Sequence, residues 1–269
     1  MKQLPFVERI CIYPVKSLDG IWLQEAQIGP GGCLLHDREY AIFDEKDKYV
    51  NGKKNPLVHQ LRLNMDFEAK TIYFRHQAQT NWHSFHLQHD KDAIDIYLSS
   101  FFNKQVILKQ NTEGGFLDKP VKSGMTLLST ASLQTVAGWF DNLPLEETRQ
   151  RFRATLELGN VPAFWEDRLF TTEGTAIEFT IGNVKVLGMG PRARCVVPTR
   201  NPQTGKDIHA FQKTFAYCRE QNLPEGSALN NYGHTYYLSV DCMIPSSEIG
   251  KWIAKGDELK LTGNKIKVG

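Results

Sequence analysis

The segment Ala176-Ile177-Glu178-Phe179-Thr180-Ile181-Gly182-Asn183-Val184-Lys185-Val186-Leu187 reads as two β-strands, 176–181 and 184–187, joined through Gly182-Asn183. That pair suits the positive φ of a tight hairpin turn. Beyond it come a Gly/Pro-rich bend at 188–191, a predicted helix over 209–222 with Phe211, Phe215 and Cys218 on one face, and strands at 236–240 and 259–261. Towards the N terminus, 152–158 reads as a strand. One helix is predicted after Ser129 or Thr130, burying Leu133, Val136, Ala137 and Phe140 and closed off by Pro144. Another is predicted from Asp90 or Asp92, with Ile94, Tyr97, Leu98, Phe101 and Phe102 at three-four spacing. The first hundred residues read mostly as short strands, at 7–13, 40–43, 49–50 and 71–74, punctuated by glycines at 20, 29, 31, 32 and 52. The order is free of repeats and lacks regular βαβ alternation. The expected fold class is α+β, mainly β, built on barrels.

A length of 269 residues, 41% hydrophobic and 23% charged, suits one large or two modest globular domains with a sizeable core. A formal charge of +2 gives no electrostatic case for a nucleic-acid partner. Glu8 and Arg9 interrupt any apolar run near the N terminus, and no stretch approaches the roughly 18 apolar residues of a membrane span. A cytoplasmic location with no membrane span is expected. The five cysteines, Cys11, Cys33, Cys195, Cys218 and Cys242, are scattered and contain no Cys-x-x-Cys pair. That pattern suits reduced thiols and argues against a zinc knuckle or an iron–sulfur cluster held by this chain. Electrons for any redox chemistry then come from another protein.

Cys195 lies in Gly188-Met189-Gly190-Pro191-Arg192-Ala193-Arg194-Cys195-Val196-Val197-Pro198-Thr199-Arg200, with three arginines close in sequence. Nearby positive charge favours a thiolate, the form that ligates soft metals or acts as a nucleophile; the alternative is a small packed residue beside a basic loop. Tyr13-Pro14-Val15-Lys16-Ser17 breaks a strand at a proline and presents a lysine beside a hydroxyl, either a phosphate contact or a solvated loop. Arg38, after Asp37, is either an anion contact or half of a surface ion pair. Arg151 and Arg153, two apart on a predicted strand, share a face and suit an anion. His83, His86 and His89 have regular spacing, but on a strand His86 points away from the other two, which opposes a shared metal. The pairs Gly31-Gly32 and Gly114-Gly115 carry neither a Walker lysine nor a dinucleotide fingerprint and read as turns.

Taken in order, Tyr-Pro-Val-Lys-Ser (13–17), Asp37-Arg38, Arg153 and Arg-Cys-Val-Val-Pro-Thr-Arg-Asn-Pro-Gln-Thr-Gly (194–205) resemble the MOSC-domain family that includes the mitochondrial amidoxime-reducing component and its bacterial relatives. The likeness runs from about Phe6 to Leu261, and the cysteine segment is its most specific part. It implies an N-terminal MOSC β-barrel domain over 1–100 packed on a MOSC β-barrel domain over 101–269, with flanking helices. By position it implies Cys195 as the molybdenum ligand, with Lys16, Ser17, Arg38, Ser123, Arg153 and Arg194 as contacts of the molybdopterin. A dithiolene- and phosphate-bearing pterin needs one soft thiolate and a cationic cradle from the protein, and these residues are of those two kinds. The implied activity is reduction of small N-hydroxylated substrates, using a separate electron donor of ferredoxin, flavodoxin or cytochrome type. The alternative is a carrier of molybdenum cofactor or sulfur without turnover. Ala154-Thr155 after Arg153 departs from the family's Pro-Asn, Ala193 stands where serine can occur, and Lys53 or Lys54 replaces an arginine. The C-terminal ferredoxin-like domain of some bacterial relatives is not expected here, in keeping with the missing cluster cysteines.

Overall fold

The computed structural model describes residues 4–119 and 124–268. Its strands are β1 (Phe6–Ile12), β2 (Ile21–Leu23), β3 (Glu25–Gln27), β4 (Tyr40–Asp44), β5 (Leu61–Asp66), β6 (Thr71–His76), β7 (His83–His86), β8 (Val106–Gln110), β9 (Met125–Ser129), β10 (Leu156–Gly159), β11 (Thr175–Ile181), β12 (Val184–Ala193), β13 (Tyr237–Met243), β14 (Trp252–Ala254) and β15 (Leu259–Lys267). The helices are α1 (Lys91–Phe102), α2 (Thr130–Ala137), α3 (Leu145–Phe152) and α4 (Phe211–Gln221). The fold is α+β with a dominant β component and a barrel-like N-terminal region.

The Gly182-Asn183 hairpin forms as the sequence predicts: Gly182 has φ +55° and Ile181 pairs with Val184. It sits inside an eight-stranded sheet of order β15-β11-β12-β13-β9-β10-β1-β2. Only β9 and β10 run parallel in that ladder. β12 outruns its predicted end, continuing through the Gly/Pro segment to Ala193 by register shifts at Gly188/Gly190 and Pro191/Ala193. Bulges of this kind accommodate a glycine and a proline within a paired strand and re-aim the residues beyond them, here Cys195. At the far side, Phe6 bridges Glu258, and Leu259 N–H donates to Pro5 O at 2.8 Å, so the sheet curls until its first strand meets the start of its last. Ile10, Leu127, Phe179, Val186, Val240 and Leu259 fill the enclosed core.

A second core lies under α1 and the smaller sheets β5-β6-β7 and β4-β8, with Leu61, Ile72, Phe74, Ile94, Leu98 and Phe102 buried together. α1 starts after Asp90, whose carboxylate accepts from His86 N–H at 2.8 Å. α2 starts after Ser129, whose hydroxyl accepts from Ser132 N–H at 3.0 Å.

The predicted strand at 152–158 is corrected. α3 occupies 145–152 and β10 begins only at Leu156. Pro144, read as a stop, is the N-cap of α3, and Glu146 and Glu147 in its first turn with Arg149 and Arg151 in its last complement the helix dipole. Arg153 closes that helix in the left-handed conformation, φ +51°. Arg151 and Arg153 therefore share no strand face.

α4 is anchored by Arg219, 2% exposed, whose Nη2 donates to both carboxylate oxygens of Asp167 at 2.7 and 2.6 Å and whose guanidinium lies 4.0 Å from the Phe164 ring centroid. Beside it Glu166 is 1% exposed, and neither carboxyl oxygen has a hydrogen-bond partner among the described residues. Burial pushes its carboxyl up to about 7 from an ordinary 4.5. Between those values the folded chain holds a proton that the unfolded chain has released, so this group's contribution to stability falls as pH rises from 4.5 to 7. Relative to Glu166→Gln, the wild type is expected to lose on the order of 3 kcal/mol across that window. Urea unfolding of both proteins at pH 4.5, 6 and 7.5 measures it, and parallel profiles would show Glu166 already ionised in the fold.

Candidate functional site

A cavity of about 770 Å³ opens among the loops after β1, before β5, at the end of α3 and after β12. That volume suits a small-molecule or cofactor site of roughly 300–1,000 Å³. Twelve lysine and arginine side chains line it against three acidic ones, Asp19, Asp118 and Glu146, among the described residues. The near-neutral chain thus concentrates its positive charge in one concave place.

The loop after β1 contributes Lys16 and Ser17. Its backbone is pinned by Lys16 N–H donating to Tyr40 O at 2.8 Å, and Ser17 turns the chain at φ +73°. Lys16 Nζ donates to Phe116 O at 2.7 Å and to Asp118 Oδ1 at 2.6 Å, and lies 4.9 Å from the Tyr49 ring centroid. Burial draws its pKa below the usual lysine range, and Asp118 opposes that shift. Arg38, also left-handed at φ +53°, pairs with Asp37. The Asp37 carboxylate is 1% exposed and accepts from Tyr13 N–H at 2.8 Å as well. Burial disfavours the Arg38 cation, but Asp37 outweighs it and the pKa rises.

Arg153, from the end of α3, sets its guanidinium 4.0 Å from the centroid of the Tyr13 ring, and Arg38 lies 4.7 Å from the same centroid. Among the described residues no carboxylate pairs with the Arg153 side chain and no hydrogen-bond acceptor receives it. Burial, then the neighbouring Arg38, lowers its pKa. Among the described residues this half-buried cation is held by an aromatic face alone, which makes it a receptor for an anion.

Cys195 is half-buried two residues beyond β12, and its Sγ accepts from Val197 N–H at 3.5 Å. The arginines around it are anchored rather than free. Arg194 donates from Nε and Nη2 to Leu238 O, from Nη1 to Phe152 O at 2.9 Å, and from Nη2 to Ser239 Oγ at 2.6 Å. Burial, then Arg192, pulls its pKa down to about 9. Arg192 pairs with Asp241 at 2.6 Å, and Arg200 donates to Gly52 O. Arg151, 3% exposed, pairs with Glu147 at 2.6 Å and donates to Pro198 O at 2.8 Å, tying the cysteine loop to α3.

Cys195, Lys16, Ser17, Arg38, Arg153 and Arg194 therefore line one cavity, as does Lys53. Ser123 lies outside the described residues. The histidine prediction is corrected in part: His86 and His89 stack at 4.3 Å because His89 lies past the strand end, while His83 stands 5.0 Å from Tyr97. None of these three histidines lines the cavity. Gly31 and Gly114 are turn residues that meet each other, since a Cβ on Gly31 would stand 2.8 Å from Gly114 Cα. Sequence reasoning missed Arg192 as an ion-pair hub, Asp118 and the Tyr13 platform. Only Tyr13 had a signal, as part of the Tyr-Pro-Val-Lys-Ser segment.

Among the described residues no three His, Cys, Asp or Glu side chains gather as a metal-holding group. Of the two cysteines that line the cavity, Cys11 is buried with its pKa pushed up to about 12, so a metal here would take the more accessible Cys195 as its soft protein ligand and bring its remaining donors with it. Among the described residues no helix is long and apolar enough to cross a membrane.

No curated protein matches the chain. Among solved structures, the YuaD protein from Bacillus subtilis is similar over 99% of this chain and 98% of its own, with 11% identity and a TM-score of 0.38. The family described as the MOSC N-terminal beta barrel domain matches residues 4–142, more than half of the 269 residues. On that match, the chain belongs to the family of proteins that carry the MOSC N-terminal beta barrel domain.

Proposed function

We propose that this chain is a molybdenum-cofactor-binding oxidoreductase that reduces small N-hydroxylated substrates with electrons from a separate donor protein. The observation that supports it most is Arg153, a half-buried cation with no carboxylate or hydrogen-bond acceptor among the described residues, in the same cavity as the half-buried Cys195. The donor set suits a pterin that carries its own dithiolene and a phosphate: the half-buried Cys195 thiol, the Ser17 hydroxyl and a surplus of cations, while burial pushes the pKa of the second lining thiol, Cys11, up to about 12 and keeps it protonated.

In this reading Cys195 is the thiolate ligand, and Lys16, Ser17, Arg38 and Arg153 hold the phosphate and pterin. Arg194 acts differently from a direct anion contact. Its donors go to Phe152, Leu238 and Ser239, so it fixes the approach of the Cys195 loop to α3 and β13. Tyr13 presents one ring to both Arg38 and Arg153, keeping two guanidiniums beside one anion without a second carboxylate. The bound cofactor supplies the two-electron chemistry, and each N–OH group reduced to N–H takes up two electrons and two protons and releases water. The chain's own part is to ligate, orient and set the local charge.

Protein made in a cofactor-producing host should carry near-stoichiometric molybdenum and pterin, by metal analysis and pterin fluorescence. Cys195→Ala should lose the metal, and an amidoxime assay with a chemical electron donor should show steady turnover in wild type only. Binding without turnover would make the chain a carrier, and absence of both metal and pterin from wild type would sink the reading. Arg153→Ala should retain the fold while its pterin content falls roughly tenfold, the scale of one lost charge-assisted contact. Pterin content unchanged from wild type would remove Arg153 from the cradle.

A further inference from the structure

Asp118 sets a carboxylate against two cations of the cavity wall. Its Oδ1 is 2.6 Å from Lys16 Nζ and its Oδ2 is 3.2 Å from Arg192 Nη2. Exposure is uneven across these pairs: the Lys16 and Arg192 side chains are 12% and 17% exposed, whereas Asp118 is 50% exposed. The cations are built into the wall and the carboxylate reaches them from the open side. Arg192 has a second, deeper partner in Asp241, 5% exposed and 2.6 Å from Nη1. Among the described residues Asp118 is the carboxylate that pairs with Lys16, whose remaining contacts are a backbone carbonyl and an aromatic ring.

We infer that Lys16 and Arg192 form an oxyanion seat for a phosphate monoester, and that Asp118 occupies this seat as an internal carboxylate which the ligand must displace. Two carboxylate oxygens bridging an ammonium and a guanidinium reproduce the contacts that two phosphate oxygens would make. A second anion cannot share the seat without like-charge repulsion. Burial works against the Asp118 carboxylate, but Lys16 outweighs it and holds its pKa at about 2, so the competitor stays charged at neutral pH. Identifying the phosphate as that of the pterin rests on the proposed function; the seat itself does not. Arg192, absent from the residues assigned by resemblance, becomes a ligand contact, and Asp118 becomes a brake on affinity.

Calorimetric titration of the full chain with inorganic phosphate tests the seat. Asp118→Asn should bind phosphate roughly threefold more tightly than wild type, the scale of one displaced exposed ion pair, and Lys16→Met should lose binding. Asp118→Ala, which removes the side chain's polar atoms altogether, should change in the same direction as Asp118→Asn. Equal or weaker phosphate binding by both Asp118 variants would overturn the inference and make Asp118 a residue that preorganises the cations. The pterin is tested separately by its release rate from loaded protein, followed by fluorescence. Slower release from Asp118→Asn identifies its phosphate as the occupant. Tighter phosphate binding in a protein that never holds pterin keeps the seat and discards the cofactor reading.

Discussion

Like charges gathered round one cavity repel one another, and the way this repulsion is offset organises the fold around the site. Two unit charges 4 Å apart interact by about 4 kcal/mol at an effective dielectric of 20, so a cradle of arginines must be held open by countercharge or packing. Four are held by carboxylates placed behind the wall: Asp37 behind Arg38, Glu157 behind Arg149, Glu147 behind Arg151 and Asp241 behind Arg192. Asp37 does more than neutralise. By accepting from the Tyr13 amide as well, it fixes the ring against which Arg153 and Arg38 both rest. Arg194 and Arg75 are satisfied by carbonyl and hydroxyl oxygens instead, whereas the half-buried Arg153 side chain has neither a carboxylate nor a hydrogen-bond acceptor among the described residues, and the cavity's demand for an anion is greatest there.

Backbone conformation obeys the same demand. Ser17, Arg38 and Arg153 are not glycines, yet all three occupy the left-handed region, at φ +73°, +53° and +51°. Such residues cost of order 1–3 kcal/mol each and persist where surrounding bonds over-determine them. Here Lys16 N–H to Tyr40 O, Arg38 N–H to Tyr13 O and Arg153 N–H to Arg149 O supply those bonds, each at 2.8 Å. The left-handed turns project short or cationic side chains towards a common centre that regular strands would have splayed onto alternating faces. The cysteine loop is drawn to the same centre by Arg151 and Arg194, which donate across it to Pro198, Phe152 and Leu238. These two arginines act through the backbone they hold.

Much of the architecture was legible because its signals are local. The 182–183 hairpin, the Ser129 cap of α2 and the three-four spacing of α1 each depend on a few neighbouring residues. α3 was missed because Pro144 was read only as a stop, although the acidic first turn and basic last turn of 145–152 carried a helix signature. The extension of β12 through Gly190 and Pro191 was hidden because bulges depend on the partner strand β13. In the site, the soft thiol and the basic residues could be picked out, but the wrong backbone was assumed for Arg153, and the three arginines near Cys195 were counted as free charge when each is engaged.

By itself, then, the sequence determined the class of fold, the hairpins and helices with short-range signals, and the kinds of side chain available: one loop cysteine among arginines, a Lys-Ser pair and several further cations. Only the tertiary structure decided which of these meet, and which cations keep a carboxylate. The reason is that charge is compensated through space. Asp118 neutralises Lys16 from 102 positions away and Tyr13 supports Arg153 from 140, separations at which composition and periodicity carry no information.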